Sequence, residues 1–224
     1  AGRQPLSNED GKIWIAYNGE TYNFADLRTE LQECGHKFRS QTDTEVVVHL
    51  YEQYGMECVQ HMRGMFALAI WDENRKFLFL ARDRLGVKPL YYAFAPDAFI
   101  FASEIKCLLA HSCLVPAVDD EAFYHYLTFL TTPSPQTMFK GIMKLPPGHR
   151  AVVNADGDIR VEEYWDVFAG VQPEFDYSAS ENAERVQAGL RESVKLRMAS
   201  DVPFGVLLSG GIDSSINVAL MAAQ

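Results

Sequence analysis

Two architectures in succession are expected from this sequence: an α+β layered sandwich through Trp165, then the opening of an α/β parallel-sheet domain. Three observations predict this. Residues 1–165 carry several short apolar runs separated by turn residues, the mark of antiparallel strand pairs. Two stretches among them repeat apolar residues at helical spacing instead. After Trp165 come a polar stretch, an amphipathic helix, and the run Phe204 to Leu208, apolar without alternation as in a buried parallel strand.

Ile13 to Tyr17 reads as a strand that ends in Asn18-Gly19, a strong hairpin dipeptide. Phe24 to Cys34 has Phe24, Leu27 and Leu31 on one helical face, and Gly35 follows as a stop. Thr42-Asp43-Thr44-Glu45 has the form of a capping box and opens a helix through Val46, Val47, Leu50 and Tyr54. Met65 to Trp71 and Phe77 to Ala81 flank the turn Asp72-Glu73-Asn74-Arg75. Tyr91 to Phe94 pairs with Phe99 to Ala102, and Ala151 to Val153 pairs with Ile159 to Val161 across Asn154-Ala155-Asp156-Gly157. Residues 166–180, with Gly170 and Pro173, read as a linker. Glu181 to Met198 is the amphipathic helix, with Val186, Leu190 and Val194 on one face. Ser209-Gly210-Gly211 then leads into a helix from Ile212 to Ala223.

Composition narrows the function. The formal net charge of -10 and a pI near 5.0 argue against general nucleic-acid or anionic-membrane binding. No apolar run approaches the ~20 residues of a membrane helix, and the N-terminal residues lack the apolar core of a signal peptide. Cys34, Cys58, Cys107 and Cys113 have no zinc-finger or redox spacing, which points to reduced thiols in a cytoplasmic protein. Cys107, His111 and Cys113 cluster in sequence, but the spacing supplies no fourth ligand.

The most informative string is Ser209-Gly210-Gly211-Ile212-Asp213-Ser214-Ser215. Two glycines permit a tight turn and a close backbone approach to a ligand. The helix that follows presents unpaired N–H groups and a positive dipole end, and the serines add hydroxyl donors. This suits pyrophosphate or a triphosphate tail. Asp213 would repel phosphate unless a cation lay between them, which implies Mg²⁺. No Walker lysine follows the glycines, so a P-loop kinase or GTPase is not expected.

The string resembles the S-G-G-x-D-S pyrophosphate loop of the ATP pyrophosphatases. With Asp201-Val202-Pro203-Phe204-Gly205-Val206-Leu207-Leu208 before it, it resembles the asparagine synthetases in particular. The resemblance implies an ATP site on Leu207, Ser209, Gly210, Gly211, Asp213 and Ser214, with Asp213 at the metal. Asn18-Gly19-Glu20-Thr21-Tyr22-Asn23 in turn resembles the N-G-E-I-Y-N segment of class II glutamine amidotransferases. By that resemblance Asn18 and Gly19 form the oxyanion hole, Glu20 helps hold glutamine, and Asp43 binds its α-ammonium; as a residue of a helix N-terminus, Asp43 also has a purely structural role open to it. Gly64-Met65-Phe66-Ala67, Arg82 to Leu90, Phe101 to Lys106 and Leu145-Pro146-Pro147-Gly148 match the family as turns and strand ends.

The resemblance covers nearly the whole chain. It implies an N-terminal-nucleophile-type αββα sandwich over 1–165, lacking its N-terminal part. An adenine nucleotide α-hydrolase-like domain then begins over 181–224. The implied activity is ATP-dependent amidation of aspartate with ammonia from glutamine, in the cytoplasm. Partners are glutamine, aspartate and ATP, with a homodimer an allowed assembly and no nucleic acid or membrane. The family nucleophile is an N-terminal cysteine that uses its own α-amine as base. Ala1 stands first here, so the 224-residue chain by itself is expected not to hydrolyse glutamine. The alternatives are a β-lactam-synthetase-like relative, an amidotransferase acting on another carboxylate, and a non-catalytic glutamine-binding domain.

Overall fold

The computed structural model describes residues 3–170, 177–200, 202–203 and 205–224, in two compact units, Ala1–Ala169 and Gly170–Gln224. The first unit runs β1 (Leu6–Ser7), β2 (Ile13–Thr21), α1 (Phe24–Glu33), α2 (Asp43–Tyr54), α3 (Cys58–His61), β3 (Gly64–Asp72) and β4 (Phe77–Arg82). It continues with β5 (Tyr91–Ala95), β6 (Ala98–Ala102), α4 (Ile105–Leu109), α5 (Asp120–Phe129), β7 (Ile142–Lys144), β8 (His149–Asn154) and β9 (Ile159–Glu163). A large antiparallel sheet has the order β1-β2-β3-β4-β8-β9, and a small one the order β6-β5-β7.

Strand alternation builds the layers. Ile13, Ile15 and Tyr17 of β2 and Phe66, Leu68 and Ile70 of β3 pack with Leu27 and Leu31 of α1 and with Val46, Val47 and Leu50 of α2. The opposite face of the large sheet carries Ala67, Ala69, Leu80 and Ala151, which meet Leu90, Tyr92 and Leu145. Beyond the small sheet, Ala93 and Ile142 pack with Leu108, and Ile105 joins them. The order is helices, sheet, sheet, helix: the αββα sandwich that the family resemblance implies.

Three expectations are corrected here. Asn18-Gly19 does not turn: β2 runs straight through it and pairs with β3 over nine positions, from Ile13↔Asp72 to Thr21↔Gly64. A long partner strand outweighs the turn preference of two residues. The capping box is half formed. Thr42 Oγ1 accepts from Glu45 N–H, but the Glu45 carboxylate reaches past Thr42 to Arg39 N–H, Ser40 N–H and the Ser40 hydroxyl, each at 2.6 Å. Burial alone would raise this carboxyl, and those hydrogen bonds bring it below the usual range. Among the described residues 205–208 there is no strand, and Leu207 and Leu208 are exposed; Phe204 lies outside the described residues. A strand needs a neighbour for its N–H and C=O groups, and the described part of the second unit offers no other strand.

The second unit contains α6 (Ala179–Arg197) and α7 (Ile212–Ala222). Ser178 and Glu181 form a complete capping box on α6, a stronger start signal than the Glu181 chosen from periodicity. Val186 and Leu190 of the amphipathic face are exposed. Most of the linker reading lies at 171–176, outside the described residues. No helix among the described residues is long and apolar enough to cross a membrane.

One loop ties the layers together. The buried Asp83 carboxylate accepts backbone N–H groups from Phe66, Leu85, Val87 and Lys88 at 2.9–3.2 Å. Beside it the Arg82 guanidinium donates to the carbonyls of Gly86, Lys88 and Leu145, each at 2.7 Å. Asp83→Ala strands four donors at once. It should cost roughly 3 kcal/mol of unfolding free energy by denaturant titration. A loss below about 0.5 kcal/mol, the scatter of surface changes, would mean that the loop holds itself.

Candidate functional site

The pairing of β2 with β3 decides what the Asn18-Gly19-Glu20 segment presents. Phe66, opposite Gly19, turns its backbone away from β2: its C=O accepts from Asp83 N–H and its N–H goes to the Asp83 carboxylate. Gly19↔Phe66 is therefore a pair that exchanges no backbone hydrogen bonds, and such pairs bring the two Cα atoms close. A Cβ on Gly19 would lie 2.4 Å from the Met65 carbonyl oxygen and 2.8 Å from Phe66 Cα, so only glycine fits.

The Gly19 N–H consequently points outward at the edge of β2. β1 covers that edge only opposite Trp14 and Ile15. At Tyr17 the Gln4 side chain imitates a strand, accepting from Tyr17 N–H at 2.6 Å and donating to Tyr17 C=O at 2.9 Å. At Thr21 the N–H donates to Asp43 Oδ2 at 3.0 Å. Between these two occupied positions the Gly19 N–H has no hydrogen-bond acceptor among the described residues.

Asn18 lies on the face of β2 turned toward the small sheet, opposite to buried Tyr17. Its Nδ2 donates one hydrogen to Ser103 Oγ at 3.0 Å, just beyond β6. The other amide hydrogen remains for a ligand. Both residues line a cavity of about 250 Å³ with Ala16, Ala67, Leu90 and Phe101. The alanines at 16, 67 and 69 leave this space, because the large sheet meets the small one there with methyl groups only.

Glu20 is half-buried one residue further along, and Asp43 begins α2. Burial pushes the Tyr17 hydroxyl far up; its hydrogen bond to Thr21 works against this, and the Asp43 and Glu20 carboxylates reinforce it. Two carboxylates thus bear on one end of β2, the charge that an ammonium group would seek. The fold brings Asn18, Gly19, Glu20 and Asp43 to this one strand end. Asp43 holds the strand and opens the helix at the same time.

Sequence reasoning assigned no chemistry to Ser103 and overlooked Gln4. The signal for Ser103 was its place in Phe101-Ala102-Ser103-Glu104-Ile105-Lys106; no local pattern marks Gln4.

In the second unit, Gly210 has φ +82° and Gly211 is the N-cap of α7. Ser209 Oγ lies 3.0 Å from Ser214 Oγ, and Ser209 Oγ accepts Gly211 N–H at 3.4 Å. The Ser214 and Ser215 hydroxyls donate to the Gly211 carbonyl at 3.0 and 2.8 Å. Asp213 is exposed on the first turn of α7. The three serine hydroxyls are gathered at the start of α7, where those of Ser214 and Ser215 are engaged by the Gly211 carbonyl.

Residues 1–165 match the family model described as glutamine amidotransferase domain. The chain belongs to that family. Residues 185–224 match the asparagine synthase model. Over 220 residues the chain is 42% identical to asparagine synthetase [glutamine-hydrolyzing] 1 of Bacillus subtilis, covering 98% of this chain and 34% of that protein. Asparagine synthetase [glutamine-hydrolyzing] 3 of the same organism is 39% identical, covering 100% of this chain and 36% of its own length. The chain therefore spans about a third of the length of these relatives. Among solved structures, glutamine phosphoribosylpyrophosphate amidotransferase from B. subtilis, complexed with ADP and GMP, aligns with a TM-score of 0.52 at 20% identity. The alignment covers 98% of this chain and 47% of that one, a likeness of fold.

Proposed function

We propose that the protein containing this chain is a glutamine-hydrolysing asparagine synthetase. Residues 1–165 are read as its glutaminase domain, 166–180 as a linker, and 181–224 as the start of its ATP-using domain. The observation that carries the reading is the outward Gly19 N–H beside the Asn18 amide, in a chain whose 185–224 segment matches asparagine synthase. Hydrolysis of a carboxamide builds negative charge on the carbonyl oxygen, and two fixed donors at a strand edge stabilise it without reorganising. Glu20 and Asp43 supply negative charge for the α-ammonium of glutamine.

At the second site the aspartate side-chain carboxylate attacks the α-phosphorus of ATP and pyrophosphate leaves. Ammonia then attacks the acyl-adenylate carbonyl and AMP leaves. Leu207, Ser209, Gly210, Gly211 and Ser214 would bind the nucleotide through backbone and hydroxyl donors. Asp213 fits Mg²⁺, being a hard oxygen ligand on an exposed first turn, and the ion would screen the phosphates from its charge. The same reading puts the protein in the cytoplasm, where four unpaired cysteines stay reduced. A homodimer is compatible with it.

The test uses the full reading frame with aspartate, ATP and glutamine labelled with ¹⁵N in its amide. Labelled asparagine should form together with AMP and pyrophosphate. Label in another carboxamide, or consumption of glutamine without any use of aspartate, would overturn the reading.

A further inference from the structure

On the outer side of α2, away from the cavity, four side chains from three segments converge. They are Glu9 in the β1–β2 loop, His36 after α1, and His49 and Glu52 on α2. His49 is 1% exposed. Its Nδ1 lies 2.6 Å from Glu52 Oε2 and 3.6 Å from Glu9 Oε2, while His36 Nδ1 lies 3.6 Å from Glu52 Oε2. The ligand atoms of Glu9, His36 and His49 all fall within 4.8 Å of one another.

Each group is held from behind. Glu9 Oε1 accepts Lys37 N–H at 3.2 Å, and Arg39 donates to the Glu9 carbonyl at 3.1 Å, fixing the loop. Glu52 Oε1 accepts from buried Asn8 at 2.7 Å. The Phe38 ring packs edge-on against His49, with centroids 4.7 Å apart. His49 Nε2 is buried without a hydrogen-bond partner and sits 3.9 Å from Glu45 Oε1.

Three carboxylates, from Glu9, Glu45 and Glu52, surround one buried imidazole and concentrate negative charge at this point. An ion bound at Nδ1 would leave the imidazole proton on Nε2, the nitrogen that faces Glu45. This is the carboxylate–histidine–metal relation found behind metal ligands. The 3.6 Å separations are close to the edge of a tetrahedron with bonds of about 2.0–2.1 Å. Two imidazoles with carboxylates suit zinc-type divalent ions and disfavour Mg²⁺ and Ca²⁺, which take oxygen sets.

We propose that Glu9, His36, His49 and Glu52, brought together by the β1–β2 loop, the turn after α1 and the outer face of α2, form a tetrahedral site for a zinc-type divalent cation. Glu52 exchanges its hydrogen bond to His49 for the ion, and the Nε2 proton then faces the Glu45 carboxylate. The site anchors two loops to α2, the helix whose first residue, Asp43, holds the end of β2.

Cobalt(II) is the probe, titrated into the full chain, because a tetrahedral nitrogen–oxygen site gives d–d absorption without the thiolate charge-transfer band of a cysteine site. One equivalent should bind with that spectrum and be displaced by zinc. Glu9→Gln and His36→Gln, both at accessible positions, should each weaken binding roughly 100-fold or more. His111→Gln, in the separate Cys107–Cys113 segment, should leave it unchanged. Absence of the d–d spectrum, a thiolate band on all bound cobalt, or unchanged affinity in both Glu9→Gln and His36→Gln would overturn the site.

Discussion

Replacing Asn18 with Ala in the full-length protein should lower the rate of glutamine-dependent glutamate release by about 100- to 1000-fold. The amide has one hydrogen engaged by Ser103 and one to give, and the β2–β3 ladder fixes its position. Loss of such a preorganised donor acts on the transition state, where the carbonyl oxygen is most negative, so kcat should fall far more than KM changes. The Gly19 N–H stays in place and accounts for the residual rate. Synthesis from added ammonia bypasses this site and should continue at the parent rate, which also reports that the variant is folded. Parent-level glutamate release from Asn18→Ala would remove the oxyanion role; equal loss of ammonia-dependent synthesis would point to a folding defect instead.

The second large effect is expected at the other site. Asp213→Ala should reduce pyrophosphate release from ATP and aspartate to below about one-thousandth of the parent rate. It removes the carboxylate assigned to the cation that offsets phosphate charge. Asp213 is exposed on the first turn of α7, so its replacement should shift unfolding free energy by no more than about 0.5 kcal/mol. Glutamine hydrolysis should survive, since the residues proposed for it, Asn18, Gly19, Glu20 and Asp43, belong to the first unit and Asp213 to the second. The two variants therefore have opposite profiles, one failing with glutamine only and the other with ATP only. Undiminished pyrophosphate release by Asp213→Ala would sink the nucleotide assignment and leave the amidotransferase reading standing.

Much of the architecture was legible because its signals are local. Thr42 announces α2, Gly35 ends α1, and the turns at Asp72 and Asn154 mark their hairpins, since each depends on a handful of neighbouring residues. The site was legible as a string, Asn18-Gly19-Glu20, but its shape was misread. Dipeptide preference favours a hairpin there, and the nine-position pairing with β3 overrules it. The two-residue β1 and three-residue β7 carry too few residues for a period to show. Ser103 reaches Asn18 across 85 positions of sequence, and Asn8 reaches Glu52 across 44, distances that no spacing rule spans.

The sequence by itself determined α1, α2 and most strands of the first unit, the glycine–serine turn into α7, and the family. These rest on short-range preferences and contiguous motifs. Only the tertiary structure decided that β2 runs on through Asn18-Gly19, that Phe66 turns its backbone to Asp83, and that the Gly19 N–H therefore faces outward between Gln4 and Asp43. It also decided that Val206 to Leu208 stand exposed. The reason is the same in each case. A backbone hydrogen bond in a sheet is made with a distant partner, and whether that partner is present, and which way it faces, is a property of the assembled fold.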